Sequence, residues 1–173
     1  MFSRDPLANP EPLIRRVYAY VAYRIGDGAD AEDVTSETFE RALRYRRSYD
    51  RSKGEPIEWL IGIARRVIAG RSGSREIPME ELPDIPNADS IERRVVSSIV
   101  LRDAVARLDA RDRELIALRY GADLSIREIS ELLSVRPNTV EVALHRARGR
   151  LALKLEADAE EDWPESGSEA VRI

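Results

Sequence analysis

The chain has 173 residues, 43% of them hydrophobic and 35% charged, with a formal net charge of −4 at pH 7. That length suits one compact domain or two small ones, and the absence of cysteine excludes disulfide frameworks and thiolate metal sites and fits a reducing, cytoplasmic setting. The start, MFSRDPLANPEP, lacks the apolar core of a signal peptide, and no stretch approaches the roughly 18 uninterrupted apolar residues of a membrane span, so no membrane insertion is expected.

Taken in order, the apolar spacing predicts an all-α chain of two small helical domains. PLIRRVYAYVAYRIG carries Ile14, Val17, Val21 and Ile25 at helical spacing, and Gly26 is placed to end the helix. DAEDVTSETFERALRYRRSYD follows, with Asp30 as the expected N-cap and Glu32 and Asp33 in the first turn, where the helix dipole favours negative charge. Val34, Thr38 and Ala42, with Leu43 and Tyr45, form its expected inward stripe. DRSKGEP reads as a loop, and IEWLIGIARRVIAG as a third helix around Trp59, Leu60, Ile63 and Val67. The next stretch, RSGSREIPMEELPDIPNADS, is rich in Pro, Ser and acidic residues and has no sustained apolar period. A loop this long is improbable inside one core, so residues 71–92 are expected to link a first domain, 1–70, to a second, 93–155.

The second block opens with IERRVVSSIVLRDAVARL and continues with DARDRELIALRYG, capped by Asp109 and ended by Gly121. SIREISELL begins with Ser125 and has Glu128 three residues later, the capping-box pattern. After a short turn at Ser134 and Val135, Pro137 suits the first position of the last helix, where its missing N–H costs nothing. Val140, Leu144, Ala147, Leu151 and Leu155 draw a continuous inward stripe along that helix, and the acidic remainder, 156–173, is expected to be disordered.

The pair SIREISELL and PNTVEVALHRARGRL has the lengths and tight turn of a helix-turn-helix, with the small Ser130 where the helices must cross. The outward face of its second helix offers Asn138, Thr139, Val142, His145 and Arg146, with Arg148 and Arg150 further along. Asn and Arg can bond base edges, Thr or Val can meet a thymine methyl, and the later cations suit phosphates. The plainer reading is a helical hairpin with a solvated basic face. The acidic total charge also bears on the choice, because a protein that binds DNA unaided draws most of its non-specific affinity from a basic excess.

Enzyme chemistry finds little support in the sequence. Glu32, Asp33 and Glu37 cluster, but the Glu-x-x-His pairs of a helical di-metal site do not occur, so dipole compensation or a protein-docking surface accounts for them. His145 is the only histidine, which disfavours metal or triad chemistry, and there is no glycine-rich phosphate loop. No catalytic residue, metal site or cofactor is expected.

Two motifs in sequence order, DAEDVTSETFERAL…EWLIGIARRVIA and LDARDRELIALRYGADLSIREISELLSVRPNTVEVALHRARGRL, resemble regions 2 and 4 of bacterial RNA polymerase sigma factors of the extracytoplasmic-function (ECF) group. The resemblance runs over about residues 11–155. It implies a non-catalytic subunit that gives core RNA polymerase its promoter choice. Glu32, Asp33, Ser36 and Glu37 would dock on the clamp helices of the largest subunit, with region 4 near the flap. Lys53, Pro56, Ile57, Trp59, Arg65 and Arg66 would melt and capture the −10 element. Asn138, Thr139, Glu141, Val142, His145 and Arg146 would read the −35 element, with Arg148 and Arg150 beside them. Because many such proteins are held inactive by an anti-sigma factor, the resemblance adds that class to the candidate partners.

The sequence also departs from the family pattern. Ser36 stands where Gln is usual before E-T-F, Pro56 and Ile57 replace an aromatic before W-L, and Arg66 replaces the Asn of I-A-R-N. Ser134 replaces a turn glycine, so that turn must either avoid the left-handed region or tolerate strain. In the recognition helix the usual basic-Ser-Arg run is Glu141-Val142-Ala143. A carboxylate there repels phosphate, yet it can also accept from a cytosine amine and reject other bases. The competing readings are a stand-alone helix-turn-helix regulator with an N-terminal effector domain, and a helical interaction protein that no longer binds DNA.

Overall fold

The structure, a computed structural model, describes residues 5–72 and 98–161. Most of the expected linker, 71–92, and residues 162–173 of the expected tail, 156–173, lie outside the described residues, whereas residues 156–161, expected to be disordered, continue the last helix. Among the described residues there are seven α-helices and no strand: α1 (Pro10–Ile25), α2 (Ala29–Tyr45), α3 (Pro56–Ser72), α4 (Ser98–Ala106), α5 (Ala110–Ile116), α6 (Ile126–Leu133) and α7 (Pro137–Glu161). The first three pack on one another as an N-terminal unit, and α4, α5 and α6 pack around α7 as a C-terminal unit.

In α1 the buried stripe is Val17, Tyr20 and Val21, while Ile14 and Ile25 of the expected stripe are exposed. Two faces of α1 are in use, one against α2 and α3 and one against the C-terminal unit, and Tyr20 lies on the second. Gly26 ends the helix at φ 95°, a backbone conformation that suits glycine. The N-cap position of α2 is Gly28, at φ 115°, not Asp30, which falls inside the first turn with Glu32. Asp27 takes over the local bonding there, accepting from the Gly28 amide and from the Tyr18 hydroxyl. Val34, Thr38 and Ala42 are buried, whereas Leu43 and Tyr45 are more than half exposed. The helix turns outward there into a 3₁₀ turn, Arg46–Ser48. In α3, Ile57, Leu60, Ile61, Ile63, Ala64 and Val67 are all buried, a stripe wide enough to meet both neighbours.

In the C-terminal unit, Asp109 caps α5 by accepting from the Asp112 amide, and the capping box at Ser125 and Glu128 is complete. Gly121 closes the α5 segment through a π turn, Ala117–Gly121, in which the Ala122 amide reaches back to Ala117. Ser130 is 4% exposed where α6 crosses α7, as a close crossing requires. Ser134 adopts φ 56°, ψ 41°, the left-handed conformation, so the second of the two alternatives for this turn is the one realised. The Val135 amide bonds Ser130 O across it, a Schellman-type end whose closed hydrogen bonds offset roughly 1 kcal/mol of strain at a non-glycine residue. Val140 and Ala147 are fully buried and Leu144 is 5% exposed, which fixes the inward face of α7.

A single hydrophobic cluster runs from Val17 and Leu60 in the N-terminal unit to Leu115, Leu124 and Leu144 in the C-terminal unit. The two units are therefore packed against each other, with α1 lying on the π turn and also touching α4 and α5.

Candidate nucleic-acid interface

With Val140, Leu144 and Ala147 turned inward, Asn138, Glu141 and His145 project into solvent from the first turns of α7. Together with half-buried Val142 they follow the i, i+3, i+4, i+7 spacing of one helix face. Thr139 and Arg146 flank it, half-buried, and Arg148 is exposed beyond it. The structure thus brings seven of the eight expected reading residues onto one accessible side of a helix. Arg150 is differently engaged: its guanidinium forks onto the Asp112 carboxylate, with Nη2 donating to Oδ1 at 2.7 Å and Nε to Oδ2. Asp112 is 2% exposed, so this pair ties α7 to α5. Arg136, exposed at the turn before Pro137, is absent from the residues expected from sequence, although a cation beside a recognition-helix N-terminus is the signal for a phosphate contact.

The second candidate surface is built by the loop before α3. Asp50 caps a 3₁₀ turn, Arg51–Lys53, and Gly54 follows at φ 140°. The positive φ is what demands glycine at Gly54; a Cβ there would lie 2.9 Å from the Glu58 carboxylate, the movable end of a flexible side chain. Glu58 accepts from the Glu55 amide at 2.9 Å and so starts α3, and the Tyr49 hydroxyl donates to Gly54 O at 2.9 Å. Tyr49 and Trp59 meet as tilted rings with centroids 5.5 Å apart. A cavity of about 300 Å³ opens here, lined by Tyr49, Lys53, Glu58, Trp59 and Arg66 and, from α6, by Glu131 and Leu132. Lys53 and Arg66 are exposed and Pro56 half-buried, while Ile57 is 3% exposed and supports the loop from within the core. Burial pushes the Glu58 carboxyl above the usual carboxylate range, and the facing Glu128 and Glu131 charges add to the effect. Arg65 does not join this surface. Its Nε donates to Glu114 Oε1 at 3.0 Å, on the opposite unit.

The exposed cations Arg44, Arg46, Arg47 and Arg51 extend the positive surface from the end of α2 toward Lys53. They are legible as a charge run, RALRYRRSYDRSK, that the helix reading absorbs as a solvated face. On the N-terminal part of α2, Glu32, Asp33 and Ser36 are exposed on one side. Glu37 accepts from Arg41 at 2.6 Å and from Arg71 at 3.0 Å, and the Arg71 bond leads in holding its carboxyl below the usual range. No group of three or more potential metal ligands occurs among the described residues.

The comparisons with known proteins fit this arrangement. Residues 11–71 match the family model "Sigma-70 region 2" and residues 98–151 match "Sigma-70, region 4". The chain is 33% identical over 151 residues to the ECF RNA polymerase sigma factor BldN of Streptomyces coelicolor, covering 83% of this chain but only 57% of that protein. It is 31% identical over 164 residues to the ECF RNA polymerase sigma factor ShbA of Streptomyces griseus, covering 86% of this chain and 85% of that protein. The fold is similar to that of the sigma factor RpoE solved in complex with the anti-sigma factor NepR from Bartonella quintana. That match has a TM-score of 0.65 at 18% identity and covers 85% of this chain and 94% of that one. An exposed helix-turn-helix face, a cationic loop surface and both family regions in order lead to one conclusion: the chain belongs to the ECF group of RNA polymerase sigma factors.

Proposed function

We propose the following division of labour for this sigma factor within the polymerase holoenzyme. Residues 1–70 act as region 2, residues 71–92 as the linker, residues 93–155 as region 4, and 156–173 as an acidic tail. Region 2 docks on the clamp helices of the largest subunit through Glu32, Asp33 and Ser36, with Glu37 held ready by Arg41 and Arg71. It captures the −10 element at the cavity of Lys53, Trp59 and Arg66, over a loop that Pro56 and Ile57 shape, with Arg65 contributing once it is released from Glu114. Region 4 sits near the flap and reads the −35 element with Asn138, Thr139, Glu141, Val142, His145 and Arg146, while Arg148 lies toward phosphates and Arg150, committed to Asp112, holds α7 on α5.

The observation that carries this reading is the solvent-facing row Asn138, Glu141, His145 over a fully buried Val140 and Ala147. Sigma factors are non-catalytic regulators of transcription initiation, and this chain works without a catalytic centre or cofactor of its own. Its site of action is the cytoplasm, with the polymerase; among the described residues no helix is long and apolar enough to cross a membrane. An anti-sigma factor belongs among its partners, a reading supported by the complex in which the structurally similar RpoE was solved.

The net charge of −4 suits a subunit that borrows its electrostatic attraction to DNA from the polymerase. Run-off transcription with core enzyme on genomic fragments is the test. Discrete start sites that depend on the added chain are expected, with two shared upstream elements. Core enzyme that initiates identically with and without it would overturn the assignment. A stand-alone regulator would instead give strong sequence-specific shifts with the free protein at physiological salt.

A further inference from the structure

A glycine inside a helix weakens it, so its position asks for a close neighbour. At the end of the π turn Gly121 has one, because a Cβ there would come within 2.8 Å of the Tyr20 backbone. Gly149, in the middle of α7, has none: an added Cβ would meet nothing within 4 Å. Gly149 shares a helix face with Val142, Arg146 and Leu153, at the i, i+4, i+7, i+11 spacing, opposite the inward face of Val140, Leu144 and Ala147. Leu153, at 66%, is the most exposed large hydrophobic side chain among the described residues. Beside this face Arg146, Arg150 and Lys154 follow one another at four-residue steps, and Arg148 is exposed across it. Bare helix backbone next to an exposed leucine and a row of cations fits an acidic peptide that carries an apolar side chain of its own.

We propose that this outer face of α7 is a docking site for segment 162–173 of the same chain, acidic and bearing Trp163, and that the seated segment competes with DNA for the cations of α7. The segment lies outside the described residues. The competition rests on the DNA-facing role given to region 4 above, whereas the docking stands without it. Charge is the first argument. Residues 156–173 hold seven acidic residues and one basic, a net −6, so the rest of the chain carries +2 of the total −4. The negative total charge is therefore the tail's, and the nearest cations along the chain are those of α7. Reach is the second argument. Helix α7 ends at Glu161, about 12 Å along its axis from Leu153 and about 22 Å from Arg146, at ~1.5 Å per residue. Twelve further residues span up to about 40 Å, enough to turn back along the helix. Pro164 and Gly167 are poor helix formers, so a reversal after Glu161 gives up few helical bonds. Trp163 can then meet Leu153, and Glu165 and Glu169 can reach the cations from Lys154 back to Arg146. Carboxylates and phosphates use the same guanidinium donors, so one excludes the other. A tethered segment acts at an effective concentration on the order of millimolar, so even a weak contact is populated. Such a contact resists DNA that the free chain would bind weakly and yields to promoter DNA held by the polymerase.

Methyl-labelled leucine in the full-length chain reports the contact directly by nuclear magnetic resonance. The Leu153 methyl signals are expected to carry a ring-current shift from Trp163. That shift should disappear in Trp163→Ala, in a chain ended at Glu161, and in Gly149→Gln, whose side chain fills the space left open over the helix backbone. Gly149→Gln improves helix propensity and leaves the net charge unchanged, so it separates docking from total charge. On a duplex without promoter sequence, ending the chain at Glu161 is expected to tighten binding by the free protein about fivefold in the wild-type background. The same truncation in the Gly149→Gln background should tighten it by less than about twofold. Leu153 signals indifferent to Trp163 would overturn the docking. Signals that shift only with protein concentration, or only on adding core polymerase, would give the face to a second copy or to the polymerase and overturn it as well. Equal tightening in both backgrounds would overturn the competition, since the tail would then act by its charge alone. Failure of both chains to bind the duplex at all would strike the DNA-facing role of region 4, and the competition with it, while the Leu153 signals judge the docking without any DNA.

Discussion

Arg150 shows how burial redistributes roles along a basic helix. Counted by sequence it is one of a series of cations on α7, together with Arg146 and Arg148. In the structure its guanidinium closes over Asp112, whose side chain is 3% exposed, while the Arg150 side chain is 45% exposed. The side-chain bond to Asp112 leads in raising the Arg150 pKa. Removing the cation strands a carboxylate in the interface between α5 and α7. A fully buried pair broken from one side costs about 3–5 kcal/mol, and solvent around Arg150 reduces that, so Arg150→Ala is expected to cost about 1–3 kcal/mol of folding stability. Arg148→Ala, at an exposed position on the same helix, is expected to change stability by less than about 0.5 kcal/mol and to act on the salt dependence of promoter binding instead. Urea titrations of the two variants check this. Equal midpoints would remove the structural role given to Arg150.

At the scale of elements, the helices themselves were legible because their signals are local. Asp109, Ser125 and Glu128 announce caps, Pro137 a first turn, and the Val140, Leu144, Ala147 spacing an inward face, and each depends only on neighbours in the chain. The N-cap of α2, which falls on Gly28 and not Asp30, is a local difference; the larger ones fall where an element serves two neighbours. Apolar spacing in α1 points to Ile14, Val17, Val21 and Ile25; Val17 and Val21 are buried and Tyr20 with them, its hydroxyl meeting a partner on a helix 94 positions away, but Ile14 and Ile25 are exposed. Glu114 was legible only as an oddity, a carboxylate in the apolar run ELIALRYG, and nothing local says which cations meet it.

The contact between the loop before α3 and α6 is of the same kind, and it carries a pH dependence. Glu58 lies above its ordinary pKa, first through burial and then through Glu128, Glu131 and Glu55, while its bond from the Glu55 amide acts the other way. A carboxyl raised in the folded state binds its proton more tightly there than in the unfolded chain. Its contribution therefore favours folding fully below the ordinary value of 4.5, and is lost as pH rises through the folded value above it. Glu58→Gln keeps an acceptor for the Glu55 amide without the charge, and so should flatten the stability profile between 4.5 and neutrality. Thermal melts of both proteins across that range check the sign. A profile that the substitution leaves unchanged would show that solvent, and not α6, sets the environment of Glu58.

For the whole molecule, the decisive fact is that the core does not stop at the boundary between the two family regions. Val17, Tyr20 and Leu60 belong to the same buried cluster as Leu115, Leu118 and Leu124, although the sequence places more than 90 positions between Tyr20 and Glu114. The break in composition at residues 71–92 reads as a boundary between two domains, but composition says nothing of whether two domains rest on each other. Units that share a core should lose it together. The free chain is therefore expected to unfold in one cooperative step, despite containing two family regions. The two tryptophans allow a readout by unit: in a Trp163→Phe background, fluorescence of Trp59 follows the N-terminal unit together with its contact with α6, and far-ultraviolet circular dichroism follows all the helices. Coincident urea transitions from the two probes are expected. Separated transitions would mean that each unit stands on its own core and that the packing between α1 and the π turn contributes little. Gly121→Ala sharpens the comparison, because a wedge at Tyr20 that uncouples the units should split a coincident transition in two while leaving the helices of each unit formed.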